Sequence, residues 1–108
     1  MGRRKALDEE KELRVPMEGE VLGIIIQMLG YDRVRVKCAD GKVRLCRIPG
    51  KMKKRVWMRL GDIVLVGPWD FQADKRGDIL YRYEHSEVRK LEEKGLLDWL
   101  KEEEETVY

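Results

Sequence analysis

The chain has 108 residues, 43% of them apolar, and sets 23 Lys and Arg against 21 Asp and Glu for a formal net charge of +2. A chain this short forms one domain and removes only about two-thirds of its unfolded surface from water on folding, which excludes a large enzyme built around an enclosed cofactor cavity. No apolar stretch approaches the roughly 18–20 residues of a membrane span, and no short apolar signal segment follows the basic start, so a soluble cytoplasmic protein is expected.

Residues 1–17 open with Arg3-Arg4-Lys5 and carry few apolar residues besides Leu7, Leu13, Val15 and Met17. Pro16 stops any helix before the first strand, and the segment reads as a flexible N-terminal arm. From Glu20 to Leu29 the residues Leu22, Ile24, Ile26 and Met28 share one strand face, and Val21, Ile25 and Gln27 share the other. This predicts a strand buried on both sides for part of its length, with Gly23 marking a bulge or sharp bend.

After Gly30-Tyr31-Asp32, Arg33 to Cys38 alternates cation and apolar residue, a half-buried strand with a basic outer face. Asp40-Gly41 is a strong hairpin signal of the two-residue type I′ kind, because Gly accepts the positive φ required there. In the third strand, Lys42 to Ile48, the pattern aims Arg44 outward between Val43 and Leu45 and then slips at Cys46, as a bent or bulged strand would. Pro49-Gly50 opens the loop Lys51-Met52-Lys53-Lys54-Arg55, too cationic to pack inside.

Ile63 to Val66, apolar throughout, predicts a fourth strand covered on both faces. Trp69 to Asp78 reads as a polar connection, and Ile79 to Tyr83 as a fifth strand. Ser86 is the expected N-cap of a helix carrying Val88 and Leu91 on one side, and Gly95 its C-cap. Leu96, Leu97, Trp99 and Leu100 then make a second short amphipathic piece. The expected organisation is an arm over 1–17, a barrel over 18–84, and a C-terminal helical segment over 85–105 with an acidic tail over 102–108.

Five short strands with a long basic loop after the third, followed by a helix, predict a mainly β fold: a five-stranded barrel of the oligonucleotide-binding (OB-fold) type. An SH3-type barrel competes, though its strands are usually shorter and it lacks the long first one.

The near-neutral total hides a segregation. Residues 31–60 hold eleven Lys and Arg against Asp32 and Asp40, a local net of +9, so the remainder sums to −7. Nine acids against four bases lie in residues 84–108. A row of like-signed cations on one surface suits a polyanion, since each phosphate neutralised releases condensed counterions. Arg33, Arg35 and Lys37 are aimed together by strand periodicity, Arg44 and Arg47 lie on the next strand, and Lys51 to Arg55 extend the patch. Tyr31, Trp57, Tyr81 and Tyr83 are candidates to stack on unpaired bases. The plainer alternatives are a solubilising surface, a core anchor for Trp57, and packing of the two C-terminal tyrosines against the helix; Trp69 is expected to cover an open barrel end.

Catalysis has little support: His85 is the only histidine, and its neighbours Glu84 and Ser86 cannot converge with it as a triad. Cys38 and Cys46, eight apart and without a CxxC, read as reduced buried thiols, so neither a metal nor another cofactor is expected.

The segments Cys38–Trp57 (CADGKVRLCRIPGKMKKRVW), Gly61–Gln72 (GDIVLVGPWDFQ) and Asp78–Tyr83 (DILYRY) resemble translation initiation factor 1A, the archaeal version most closely, within a match running from about Glu18 to Leu97. The resemblance implies a non-enzymatic factor that binds the A site of the small ribosomal subunit and supports initiator tRNA binding and start-codon selection. It implies that Arg33, Arg44, Lys51, Lys53, Lys54, Arg55 and Trp57 face ribosomal RNA, with Arg47 at a contact position that is not always Arg in the family. Arg3, Arg4 and Lys5 are similar in character to the family's tail, which reaches toward the decoding region. The implied partners are the small subunit and its rRNA, mRNA and initiator tRNA indirectly, and other initiation factors, for a chain expected to be monomeric. Eukaryotic relatives carry a long acidic tail that docks another factor; here a short Glu run stands instead, and Leu96, Leu97, Trp99 and Leu100 offer a different contact. A cold-shock-like chaperone for single-stranded RNA is the alternative function.

Overall fold

The computed structural model describes residues 12–53 and 57–105. Five strands, β1 (Val21–Met28), β2 (Arg33–Cys38), β3 (Val43–Arg47), β4 (Ile63–Pro68) and β5 (Arg76–Arg82), close into a barrel in the order β1-β2-β3-β5-β4. Every pairing in the ring is antiparallel except β3 with β5, which is parallel. Closure removes the free sheet edges that an open five-stranded sheet would expose. Among the described residues three helices accompany the strands: α1 (Gly50–Lys53), α2 (His85–Glu93) and α3 (Asp98–Glu105).

Strand alternation sorts the apolar residues into two cores. Ile25, Val34, Val36, Cys46, Val64, Val66 and Ile79 fill the barrel with Cys38, Ile48 and Met58. Leu22, Ile63, Leu65 and Tyr83 point outward instead and meet Leu91 and Leu97 of the C-terminal segment. Strand β4 is therefore buried on both faces, as its unbroken apolar run predicts, and α2 is held by Leu91, which is fully buried and stabilises by about 1.5–3 kcal/mol. Both cysteines are free buried thiols, in line with their spacing.

Strand β1 bridges both neighbours around Gly23, which pairs with Cys38 on one side and Val64 on the other. A Cβ at Gly23 would collide with Cγ1 of Val36 and stand 3.1 Å from the Lys37 carbonyl oxygen. Glycine is thus needed here for close approach of chains. The bulge itself comes later, between Ile25 and Gln27; Ile26 within it and Met28 beyond it turn to solvent.

The β2–β3 hairpin differs from expectation. Gly41 N–H donates to Cys38 O at 2.9 Å and Cys38 N–H to Lys42 O at 2.8 Å, so the loop has three residues. Only Gly41 takes a positive φ, 88°, which is the geometry of a turn followed by a left-handed residue rather than type I′, which demands two.

At the C-terminal side, the helix N-cap is Glu84, two residues before the expected Ser86, and the Glu87 carboxylate accepts the Glu84 N–H at 2.8 Å. Ser86 lies inside the first turn. Within residues 12–17, which the sequence reading places in the arm, Leu13 packs on the second core and the Arg14 carbonyl accepts the Tyr83 hydroxyl at 2.5 Å. The Arg14 guanidinium also lies 5.6 Å from the centroid of the Tyr81 ring.

Candidate nucleic-acid interface

The outer face of the β2–β3 ladder is built by register. Arg33 pairs with Arg47, Arg35 with Leu45, and Lys37 with Val43. The inward partners are Val34 and Val36, both fully buried, so alternation forces the three β2 cations to the outside together. Arg33 and Arg47 are like charges directly opposite each other, an arrangement that destabilises a ladder unless something neutralises it. Each has an acid of its own: Arg33 Nη1 lies 3.1 Å from Asp32 Oδ1, and Arg47 Nε lies 3.4 Å from Asp78 Oδ1. Both arginine side chains stay about half exposed, at 44% and 54%, so these surface pairs are weak and can be exchanged for phosphate. Arg35 donates Nε to Gln27 Oε1 at 3.0 Å, which orients its guanidinium across β1.

From β3 the chain passes Pro49 into α1, where Met52 packs on the barrel core and Lys51 is exposed. Met52 explains why this cationic segment is a helical turn rather than an open loop: one apolar residue anchors it. Lys54 and Arg55 lie outside the described residues, as does the side chain of Lys53, and Arg3, Arg4 and Lys5 of the arm lie outside them too. Trp57 is 81% exposed, so its ring stands in solvent and is not a core anchor; Met58 beside it takes the core position. Tyr31, in the β1–β2 turn, is 82% exposed.

Three candidate RNA contacts are not where periodicity put them. Arg44 is 3% exposed and faces inward with Cys46 and Ile48, so β3 keeps one regular alternation with its phase opposite to the expected one and no slip. Its guanidinium is held by Asp40, through Nη1 to Oδ1 at 3.1 Å and Nη2 to Oδ2 at 2.9 Å, and by the Ala73 carbonyl, which accepts Nε at 2.6 Å. Burial by itself pushes the Asp40 carboxyl up, and hydrogen bonds from Arg44 and from the Lys42 N–H more than reverse this, leaving it below its ordinary range. Arg44 thus ties the hairpin to residue 73 and does not belong to the solvent face. Tyr81 and Tyr83 are likewise removed from the stacking candidates. Their rings meet edge to face at 4.9 Å, Tyr83 is buried, and the Tyr81 hydroxyl donates to Glu87 Oε2 at 2.6 Å. Burial pushes both phenols up to about 12. Trp69 donates Nε1 to Asp78 Oδ1 at 3.1 Å and lies under the Arg76 guanidinium, packed against the β5 start.

Sequence reasoning missed Asp32 and Asp78 as the acids that hold Arg33 and Arg47; only the parallel β3–β5 pairing brings Asp78 beside Arg47. Among the described residues no cluster of His, Cys, Asp or Glu is placed to hold a metal ion, and His85 stands exposed at the start of α2. No described helix is long and apolar enough to cross a membrane.

A closed barrel with strand order 1-2-3-5-4 and a cationic outer face over its second and third strands defines a protein of the oligonucleotide-binding fold class. The crystal structure of YjeQ from Thermotoga maritima shares this fold, with a TM-score of 0.50 at 22% identity over 60% of this chain and 23% of that one. Residues 10–106 match the family described as translation initiation factor 1A / IF-1. Translation initiation factor 1A of Methanopyrus kandleri is 54% identical over 100 residues, 91% of this chain and 87% of that protein. The factor of the same name from Methanothermobacter thermautotrophicus is 48% identical over 97 residues, 90% of this chain and 98% of that protein. The chain belongs to the translation initiation factor 1A / IF-1 family.

Proposed function

We propose that this family member binds the A site of the small ribosomal subunit by gripping rRNA with its β2–β3 face and the segment after β3, and so supports initiator tRNA binding and start-codon selection. The observation that carries this reading is the Arg33–Arg47 cross-strand pair, two like charges held face to face on a solvent surface by weak acid partners. A phosphate entering between them replaces both partners and removes the repulsion. Arg33, Arg35 and Arg47 supply phosphate contacts, Lys51, Lys53, Lys54 and Arg55 insert along an RNA groove, and Trp57 stacks on an unpaired base. Arg3, Arg4 and Lys5 extend toward the decoding region. Arg44 takes no direct part. The factor acts as a cytoplasmic monomer beside other initiation factors, touching mRNA and initiator tRNA indirectly.

The test is binding to purified small subunits over a salt series. Replacing Lys53, Lys54 and Arg55 together with Ala weakens binding and flattens the log–log salt slope by about 2–3, since each phosphate left without its cation removes roughly 0.7–0.9 from the slope. An unchanged slope sinks the assignment of that segment. Comparable affinity for short unstructured RNA and for subunits favours the chaperone reading instead, which draws on the same exposed Trp57 and Tyr31.

A further inference from the structure

The Asp78 carboxylate serves two donors at once. Strand β5 lies between β3 and β4, and Asp78 stands opposite Arg47 on one flank and Gly67 on the other. Gly67 offers no side chain there, and Trp69, two residues on and so on the same face, reaches the carboxylate diagonally. A single oxygen, Oδ1, accepts the Trp69 indole N–H at 3.1 Å and lies 3.4 Å from Nε of Arg47. An unshared charge-assisted contact of this kind closes to about 2.7–2.9 Å. Arg33, the cation opposite Arg47, stands nearer its own acid, at 3.1 Å from Asp32.

Trp69 is held in the position that makes this sharing possible. Its backbone N–H donates to Arg76 O at 3.0 Å, and the Arg76 guanidinium lies 5.9 Å from the centroid of its ring, a cation–π contact that fixes the indole plane. Among the described residues neither apolar core includes Trp69, so polar contacts rather than barrel packing place the ring. Its polar edge is turned to Asp78. Each donor on Oδ1 draws on the same negative charge, so the indole N–H reduces what Arg47 gains from its acid. Without that N–H the carboxylate turns to the guanidinium as a two-pronged pair, the strongest arrangement open to the two groups. A phosphate then has to displace a closed pair instead of a loose one.

We propose that Trp69 is a positioning residue for the cationic face: its indole N–H keeps Asp78 half-engaged, so that Arg47 is oriented by its acid yet released to a phosphate. Trp69 acts through Asp78 and Arg47 and makes no RNA contact of its own. The assignment rests on the reading of Arg47 as a phosphate contact and adds to it a control over how readily that contact forms.

The experiment uses the full chain and purified small ribosomal subunits, with Trp69→Phe made in three backgrounds. Phe keeps an aromatic ring beside Arg76 and removes the donor. In the parent chain Trp69→Phe raises Kd about 2–5-fold, the range of one strengthened surface ion pair. In chains already carrying Arg47→Ala or Asp78→Asn it changes Kd by less than about 1.5-fold, because the link it acts through is cut. Asp78→Asn alone keeps Trp69 and tightens subunit binding about 2–5-fold, which tests the pair even where Trp69→Phe folds poorly. In the free protein the Arg47 Nε–H proton, followed by NMR, exchanges with solvent more slowly in Trp69→Phe and faster in Asp78→Asn. An equal loss of affinity in all three backgrounds makes Trp69 a packing residue and overturns the proposal. So do unchanged or tighter binding of Trp69→Phe in the parent, unchanged or weaker binding of Asp78→Asn, or an unmoved Arg47 exchange rate. Arg47→Ala alone separates the two readings. If it leaves Kd and the log–log salt slope unchanged, Arg47 is no phosphate contact and this inference falls with that assignment; if it lowers the slope by about 0.7–0.9 while Trp69→Phe has no effect, this inference falls alone.

Discussion

Replacing Arg44 with Met separates a structural latch from an RNA contact. The side chain is 4% exposed, and its guanidinium makes three hydrogen bonds, one to the Ala73 carbonyl and two to Asp40. Met fills much of the aliphatic volume, so the loss is polar. The Ala73 carbonyl gives up a charged donor, which costs about 1–3 kcal/mol. The Asp40 side chain is 40% exposed and rehydrates when abandoned, so its share is nearer the ~0.5–1 kcal/mol of a surface pair than the ~3–5 kcal/mol of a fully buried one. Together Arg44→Met destabilises the fold by about 2–3 kcal/mol, which for a domain of this size lowers Tm by roughly 10–20 °C. Asp40→Asn leaves the buried guanidinium without its bidentate carboxylate and costs about 1–3 kcal/mol, and the double variant costs less than the two added, since neither partner is left to be abandoned. Urea unfolding followed by circular dichroism measures all three. A loss under about 0.5 kcal/mol in Arg44→Met, accompanied by a flatter salt slope in subunit binding, would refute the buried latch and restore the outward arginine that strand alternation predicts.

Three further outcomes rest on the same geometry. Gly23→Ala must push Val36 or the β2 backbone aside and loses about 1–3 kcal/mol in urea unfolding; equal stability of the variant contradicts the close approach. Burial pushes the Cys46 thiol up from 9.0 to about 12, and Tyr81 and Tyr83 from 10.0 to about 12. All three are favoured neutral in the folded state, so their contribution is complete below about pH 9 and is lost as pH rises toward 12, with a limiting slope of about 1.4 kcal/mol per pH unit for the buried thiol. Tm measured from pH 8 to 11 therefore falls, more shallowly at its onset in Cys46→Ala, and a flat profile would rule this out. Trp57→Ala leaves unfolding within about 0.5 kcal/mol of the parent because the ring is exposed, yet weakens RNA binding by about 1–3 kcal/mol; a large stability loss would make Trp57 a packing residue after all.

The barrel was legible because its signals are local. Alternation along Arg33–Cys38 and the unbroken run at Ile63–Val66 name their own burial, and the latter needs no neighbour to be identified as a strand covered twice. The cationic β2 face follows from the same two-residue period, and the spacing of the two cysteines already points to free thiols. The boundaries were less accessible: Glu84 caps α2 through Glu87, and a helix start chosen by residue type alone favours Ser86.

Alternation groups residues by face without saying which face is inside, and β3 shows the consequence. Val43, Leu45 and Arg47 share one side and Arg44, Cys46 and Ile48 the other; a rule that sends charge outward selects the wrong phase. The inward phase wins because Asp40 and the Ala73 carbonyl, 29 residues on, satisfy the guanidinium. Tyr83 likewise leaves the RNA candidates because it is buried in the second core, where the Arg14 carbonyl, 69 residues earlier, receives its hydroxyl. Strand count, barrel class, family and the existence of a cationic face can all be read from the linear order of residues. Tertiary structure decided which polar side chains belong to that face, because burying a polar or charged group requires a hydrogen-bonding partner, and those partners come from distant parts of the chain.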